Sequence, residues 1–297
     1  MSGDLHIHTS VSDGNLSPEE LVEAAIECGL RFFAVTDHNA IGAVRRVENA
    51  LPDDAPRFVT GVELSAQPTD GQEIHILGYG IDPDNEALVA VCKDIIARKI
   101  EQIREIVYRL RRDGVDADYS APTGAEAEGY QGRPALAAQL VKAGVVDSLN
   151  QAFWRFLGET APTYVPMRTF EPEPCVEAIH EAGGLAVLAH PSIETVDRWI
   201  APLAEAGLDG VEAYRPSLSG NAQLYVEKAA EHFGLVVTGG SDWHGRPSER
   251  PLGKFTVAAR LLCDFFNALG TEPVDRPAAA AGEPPPRVDA TEPRELK

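Results

Sequence analysis

Seven short apolar runs alternate with helix-patterned segments, and this alternation constrains the fold more than any other feature of the chain. The runs GDLHIH, FFAVTDH, RFVTGVELS, EIHILGYG, GLAVLAHP, LDGVEAYRP and GLVVTGGSDWHG are rich in β-branched and apolar residues and bounded by turn formers, which is the pattern of strands. Helical spacing fills the gaps between them. Ser17-Pro18-Glu19-Glu20 reads as a helix start, with Ser17 as N-cap and Pro18 at the first helical position, and Gly29 stops that helix. Residues 43–51 read as a second helix. Alternation of this kind argues for a parallel α/β barrel or an open sheet.

The rhythm breaks once. Residues 86–113 form one long helical pattern of Ile, Leu, Arg and Glu. Its Arg/Glu mixture favours a solvated face over an apolar one packed on neighbouring helices. A Gly/Pro/Glu-rich linker (APTGAEAEGYQGRP) and two shorter helices to about residue 157 follow. Strand–helix alternation resumes after Pro174. The expected organisation is therefore a discontinuous α/β unit (1–83 and 169–272), a helical insert (84–168), and a disordered Pro/Ala/Glu-rich tail (273–297).

Composition removes several classes of function. The chain has 297 residues, 44% of them hydrophobic, and a formal net charge of -20. A surface of that sign repels nucleic-acid backbones and anionic membranes, so neither a stable nucleic-acid complex nor membrane attachment is expected. It leaves room for a small anionic substrate if cations line the pocket. No apolar run reaches membrane-spanning length, and no basic segment with an apolar run opens the chain. Cys28, Cys92, Cys175 and Cys263 are scattered without CxxC spacing and read as small buried hydrophobes in a reducing, cytoplasmic setting.

The unusual residues gather at strand ends. Of the eight His, His6, His8, His38, His75, His190 and His244 fall at or near the C-terminal ends of expected strands. So do Glu63 and Asp242, and Asp13 lies in the loop after the first strand. That edge is where parallel α/β folds collect ligands and catalytic groups. His6 and His8, two apart on a strand, face the same side. The motifs that carry these groups contain no Lys or Arg, and burying such charges unpaired is costly. Divalent cations would resolve that cost. His180 and His232 fall within helices and read as ordinary residues.

Six motifs in order, DLHIHTSVSDG, TDHN, GVELS, HILGYG, AHP and SDWHG, make the chain resemble the PHP (polymerase and histidinol phosphatase) superfamily. The resemblance implies a distorted seven-stranded, TIM-like α/β barrel with three divalent metal ions, manganese foremost and iron or zinc as alternatives. It implies that His6, His8, Glu63 and Asp242 hold one ion. Glu63 would bridge to a second held by His75 and His190, and Asp13, His38 and His244 would hold the third. Asp37 is expected to orient a ligand or to cap the following turn. The insert resembles the branch of 3′,5′-nucleoside bisphosphate phosphatases and 5′→3′ exoribonucleases. Here QGRPALAAQLV keeps Arg133 but has Ala135 where that branch carries His. FLGETAPTYVP has Glu159, Thr160 and Ala161 where it carries basic residues.

The implied chemistry is hydrolysis of a phosphate monoester of a small metabolite, a nucleotide first, by a metal-activated hydroxide. The alternatives are a 5′→3′ exonuclease on short RNA or DNA, a histidinol-phosphate phosphatase, and a non-catalytic metal-binding module. Asp13, Glu63 and Asp242 are the expected catalytic carboxylates, acting through the metals. Arg133 and Arg215 are expected to clamp substrate phosphate, and Arg168 is a further candidate at the mouth. Trp243 and Tyr79 either stack on a base or pack the rim. No residue stands out as general acid, and oligomeric state is left open.

Overall fold

Ser17 opens the first helix through a reciprocal cap. Its side chain accepts the Glu20 N–H, and the Glu20 carboxylate accepts the Ser17 N–H, an arrangement worth about 1 kcal/mol. In the computed structural model, which describes residues 1–69, 73–117, 119–120, 122 and 127–271, this helix is α1 (Pro18–Glu27). The tail expected from residue 273 lies outside the described residues. α1 buries Leu21, Val22 and Ala25 against Ile7, Phe33, Val35, and Ala43 and Val47 of α2 (Gly42–Ala50).

The strands fall into three sheets. β1 (Ser2–Gly3) pairs antiparallel with β9 (Val257–Ala258), and β2 (Phe32–Ala34) pairs parallel with β3 (Arg57–Val59). A five-stranded sheet has the order β4 (Gly61–Ala66), β5 (Ile74–Tyr79), β6 (Leu185–Leu188), β7 (Gly210–Tyr214), β8 (Val236–Gly239). The expected closed, TIM-like sheet is not shown, because no sheet closes on itself among the described residues. Single bridges tie the sheets together: Asp4 to Phe33, Ile7 to Trp243, and His38 to Glu63. The run GDLHIH is a regular strand only at its start. The Asp4 carboxylate accepts the backbone N–H groups of His6 and Ser241, so side-chain bonds replace ladder bonds there.

β5 departs from the expected parallel order. It runs antiparallel to both β4 and β6, whereas β6, β7 and β8 are mutually parallel. The connection from β4 to β5 spans only residues 67–73, and a parallel crossover needs roughly a dozen residues or more. Reversal of β5 brings its N-terminal end, with His75, to the edge where the parallel strands end.

The faces of β4 and β5 explain where the chemistry sits. Leu64 and Ile76 point outward into a core shared with α3 (Glu86–Arg112) and α6 (Glu173–Glu181). Leu77 and Tyr79 point inward with Leu5, Phe32, Val187 and the aromatic pair Phe265 and Phe266 of α9 (Cys263–Ala268). Glu63 is opposite Leu77 in register, and Ser65 is opposite His75. The inward face is thus apolar at one end and ionisable at the other.

α3 corrects the expectation of a solvated helix, because its apolar face is buried along its length. Leu88, Cys92 and Ile95 join the core of the five-stranded sheet. Ile96, Ile103, Ile106, Val107 and Leu110 build a second core with Leu136 and Leu140 of α4 (Arg133–Lys142) and with Leu157. Leu157 ends a π-helical turn (Phe153–Leu157) after the short α5 (Leu149–Ala152). α7 (Ile193–Glu205) and α8 (Gly220–Phe233) cover the remaining parallel strands. Among the described residues no helix is long and apolar enough to cross a membrane. Cys92 and Cys175 are buried as expected, whereas Cys28 is exposed and Cys263 half-buried.

Candidate active site

All nine expected ligand residues converge at one end of the strands. Glu63 is their centre and is fully buried. Its Oε1 lies 2.9 Å from His75 Nδ1 and 2.9 Å from His190 Nε2. Its Oε2 lies 3.3 Å from His6 Nε2, 3.3 Å from His8 Nε2 and 3.1 Å from His38 Nδ1. Asp242 Oδ1 is 3.1 Å from His8 Nε2 and 3.4 Å from His6 Nε2. Asp13 Oδ2 is 3.3 Å from His244 Nε2. The rings stack closely, His8 on His244 at 4.2 Å and on His38 at 4.5 Å between centroids.

Three groups each bring donor atoms within 4.8 Å of one another: His6, His8, Glu63 and Asp242; His8, Asp13, His38 and His244; and His38, Glu63 and His75. His190 completes a tight triangle with the last, its Nε2 being 3.2 Å from His75 Nδ1. Among the described residues, buried His8 Nδ1 and His38 Nδ1 make no hydrogen bond, although His38 Nδ1 is 3.1 Å from Glu63 Oε2, a costly state for a polar atom. Imidazoles interleaved with carboxylates are a donor set for borderline divalent cations. The residues present therefore fit such an ion.

Electrostatics bind the cluster together. Burial alone would raise the Glu63 carboxyl, but the His38, His6 and His75 rings hold it well below the usual carboxylate range. Burial pushes His38 well below an ordinary imidazole. His6 goes the other way, because Glu212, Glu63 and Asp242 outweigh its burial.

The supporting loops are held by polar contacts. Asp37 is not within the ligand groups. Its carboxylate accepts the Thr9 N–H, the Thr9 hydroxyl and the Ser12 hydroxyl, which fixes the loop that carries Asp13. His190 and Asp242 have positive φ angles of 28° and 56°, an uncommon conformation that gathers at functional sites.

A cleft of about 240 Å³ opens beside the cluster, and His38, His75, Asp13 and His244 are among its lining residues. The same lining includes three cations, so the cluster is less bare of positive charge than its motifs are. Lys99, reaching in from α3, is 6% exposed and donates to Ser65 Oγ at 3.0 Å. Arg133 lies 3.6 Å from Glu73 and over the Tyr164 ring. Arg246 pairs with Asp13 at 2.7 Å. A larger groove of about 610 Å³, lined chiefly by Ile41, Val89, Ile96 and Ile100, is apolar and contains none of the nine ligand residues.

The other expected contacts are placed differently. Arg215 spends both Nη atoms on the carbonyls of His190 and Pro191, each at 2.7 Å. Arg168 lines a separate groove with Arg98 and Arg104. Tyr79 is a core residue whose hydroxyl donates to Leu5 O at 2.9 Å, and Trp243 donates its Nε1–H to Arg250 O.

Sequence reasoning missed Glu212, Glu73, Lys99 and Arg246. Glu212 left a legible signal, an acid flanked by apolar residues inside a strand. Arg246 stands two residues after His244. Lys99 left none, being one of many charged residues on α3.

Comparison with known proteins agrees with this geometry. Residues 4–134 match the PHP domain family. A 5′-3′ exoribonuclease of Haemophilus influenzae is 32% identical over 81% of this chain and 89% of its own length. A 3′,5′-nucleoside bisphosphate phosphatase of Chromobacterium violaceum is 31% identical over 81% of this chain and 86% of its own. Among solved structures, a metal-dependent phosphoesterase of Bifidobacterium adolescentis superposes with a TM-score of 0.73 at 27% identity, covering 89% of this chain and 95% of that one. With two relatives above 30% identity matched over most of their length, the chain belongs to the PHP family and is a metal-dependent phosphoric ester hydrolase.

Proposed function

We propose that the chain hydrolyses phosphate monoesters of small nucleotide-like metabolites, with 3′,5′-nucleoside bisphosphates as the first candidates. The observation that carries this reading is the sharing of Glu63 by five imidazoles beside a cleft that Lys99 and Arg133 also line. On this reading His6, His8, Asp13, His38, Glu63, His75, His190, Asp242 and His244 hold as many as three divalent cations, manganese foremost. When bound, such ions supply an acidified water and neutralise charge on the phosphoryl oxygens.

The chain's own residues do the rest. Lys99, Arg133 and Arg246 attract and orient the anionic group, and Glu63 with Asp13 and Asp242 fixes the imidazoles. Residues 1–83 and 169–272 act as the catalytic part, arranged as a distorted seven-stranded barrel, with 84–168 as a cap. The isolated bridges between sheets support that arrangement. A cytoplasmic location belongs to the same proposal, supported by four unpaired cysteines.

A 5′→3′ exonuclease on short oligonucleotides is the second reading, favoured by the name of the Haemophilus influenzae relative. A small cleft and a net charge of -20 favour the smaller substrate. The deciding experiment strips the protein with chelator, restores Mn²⁺, Fe²⁺ or Zn²⁺, and measures phosphate or nucleotide release. The panel is p-nitrophenyl phosphate, 3′,5′-bisphosphates, histidinol phosphate and short 5′-phosphorylated oligonucleotides. Fastest release from a bisphosphate is expected. No release from any substrate with any of the three metals would overturn the reading.

A further inference from the structure

β7 gives no side chain to the expected ligand set, yet it grips two residues of that set. Glu212, in the middle of β7, is fully buried. His6 donates Nδ1–H to its Oε1 at 3.1 Å, and the His190 backbone N–H donates to its Oε2 at 2.8 Å. Arg215, immediately after β7, donates to His190 O and Pro191 O, each at 2.7 Å. One strand therefore holds the His190 amide by a carboxylate and its carbonyl by a guanidinium.

The grip has a physical task. At a φ of 28° His190 occupies a region disfavoured for a residue with a Cβ, and such conformations persist only where the surroundings over-determine them. In that pose His190 Nε2 reaches Glu63 and His75. The same Glu212 fixes which way His6 presents its ring. With Nδ1–H committed to Glu212, Nε2 is the nitrogen that faces Glu63 and Asp242 at 3.3 and 3.4 Å.

We infer that Glu212 and Arg215 are positioning residues, through which β7 holds the His6 ring and the His190 backbone in the pose a cation needs. Arg215 then acts on the loop and not on substrate phosphate. This rests on the metal-site reading above.

The test uses the full chain and the variants Glu212→Gln, Arg215→Met and Arg215→Lys. In metal-free protein, hydrogen exchange at the His190 amide is expected to speed up about tenfold or more in Glu212→Gln and Arg215→Met, with partial recovery in Arg215→Lys. In a Mn²⁺ titration, Glu212→Gln is expected to bind about 10- to 100-fold more weakly, and Arg215→Met also more weakly than the parent. At saturating Mn²⁺, Arg215→Met should keep its KM for p-nitrophenyl phosphate within about twofold.

Unchanged exchange at His190 in both Glu212→Gln and Arg215→Met would overturn the grip. An Arg215→Met protein that keeps its Mn²⁺ affinity but gains a tenfold higher KM would make Arg215 a phosphate contact instead. If Glu212→Gln does not fold, the Arg215 pair decides the matter. A parent chain that binds no Mn²⁺ would remove the metal reading, and the exchange measurement would still decide whether the grip exists.

Discussion

His8 belongs to two of the three donor groups, and its buried Nδ1 has no hydrogen-bond partner among the described residues. Its removal takes a donor from each group while leaving the apolar core intact. His8→Ala and Asp242→Ala should therefore lower phosphate release by more than about a hundredfold, since loss of outer partners alone costs 10- to 100-fold. Far-UV circular dichroism should stay close to that of the parent, and retained turnover in either variant would count against the mechanism. Arg133 acts at a different point, because it lines the cleft and its contacts are with Glu73, Leu157 O and the Tyr164 ring, outside the ligand groups. Arg133→Ala should raise KM about tenfold or more with a smaller fall in kcat, and unchanged kinetics would remove it from the site. The imidazoles were legible because His and Asp are rare in strand-end motifs unless something holds them there. Lys99 was not, because a lysine on a charged helix looks solvated until the packing of α3 turns it inward.

Tyr79 shows what a core residue on β5 contributes to a site whose expected ligand on that strand is His75. It is fully buried on β5, packs edge-on against Phe265, and donates its hydroxyl to Leu5 O. That bond anchors the segment that carries His6 and His8. Tyr79→Phe should cost about 1–2 kcal/mol, the penalty for leaving a buried carbonyl unpaired. A denaturant titration reads it directly, and a loss below about 0.3 kcal/mol would mean that another donor reaches Leu5 O. At this scale β2 to β8 and the long helix could be read from apolar runs and periodicity, whereas GDLHIH is a strand only at its start and β9 lies in none of the seven runs. The direction of β5 could not be read from its own residues, because alternation is the same both ways along a strand. The short connection 67–73 held that information. The split of RFVTGVELS into β3 and β4 was equally silent, since it arises from a change of partner at Thr60 and not from a change of composition.

The whole molecule places its densest charge where water has least access. Glu63, His6 and His8 are fully buried and Asp242 is partly so, a placement that is costly for ionisable groups. A cation that binds the folded chain and not the unfolded one must stabilise the fold by mass action, by about 2.7 kcal/mol at a hundredfold excess over its dissociation constant. For a chain of this size that corresponds to a melting-temperature rise of about 4 °C. The chelated protein should therefore melt lower than the same protein with Mn²⁺ or Zn²⁺, and the gap should widen with metal concentration. His8→Ala and Asp242→Ala should narrow the gap, because each weakens binding to the native state while leaving the unfolded chain unchanged. A non-specific ion effect on a surface of charge -20 would instead stabilise the parent and both variants alike, and would be matched by monovalent salt at equal ionic strength. Differential scanning calorimetry on the three proteins, with and without metal, separates the two. Equal shifts in all three would mean that the imidazoles and carboxylates converge for packing alone.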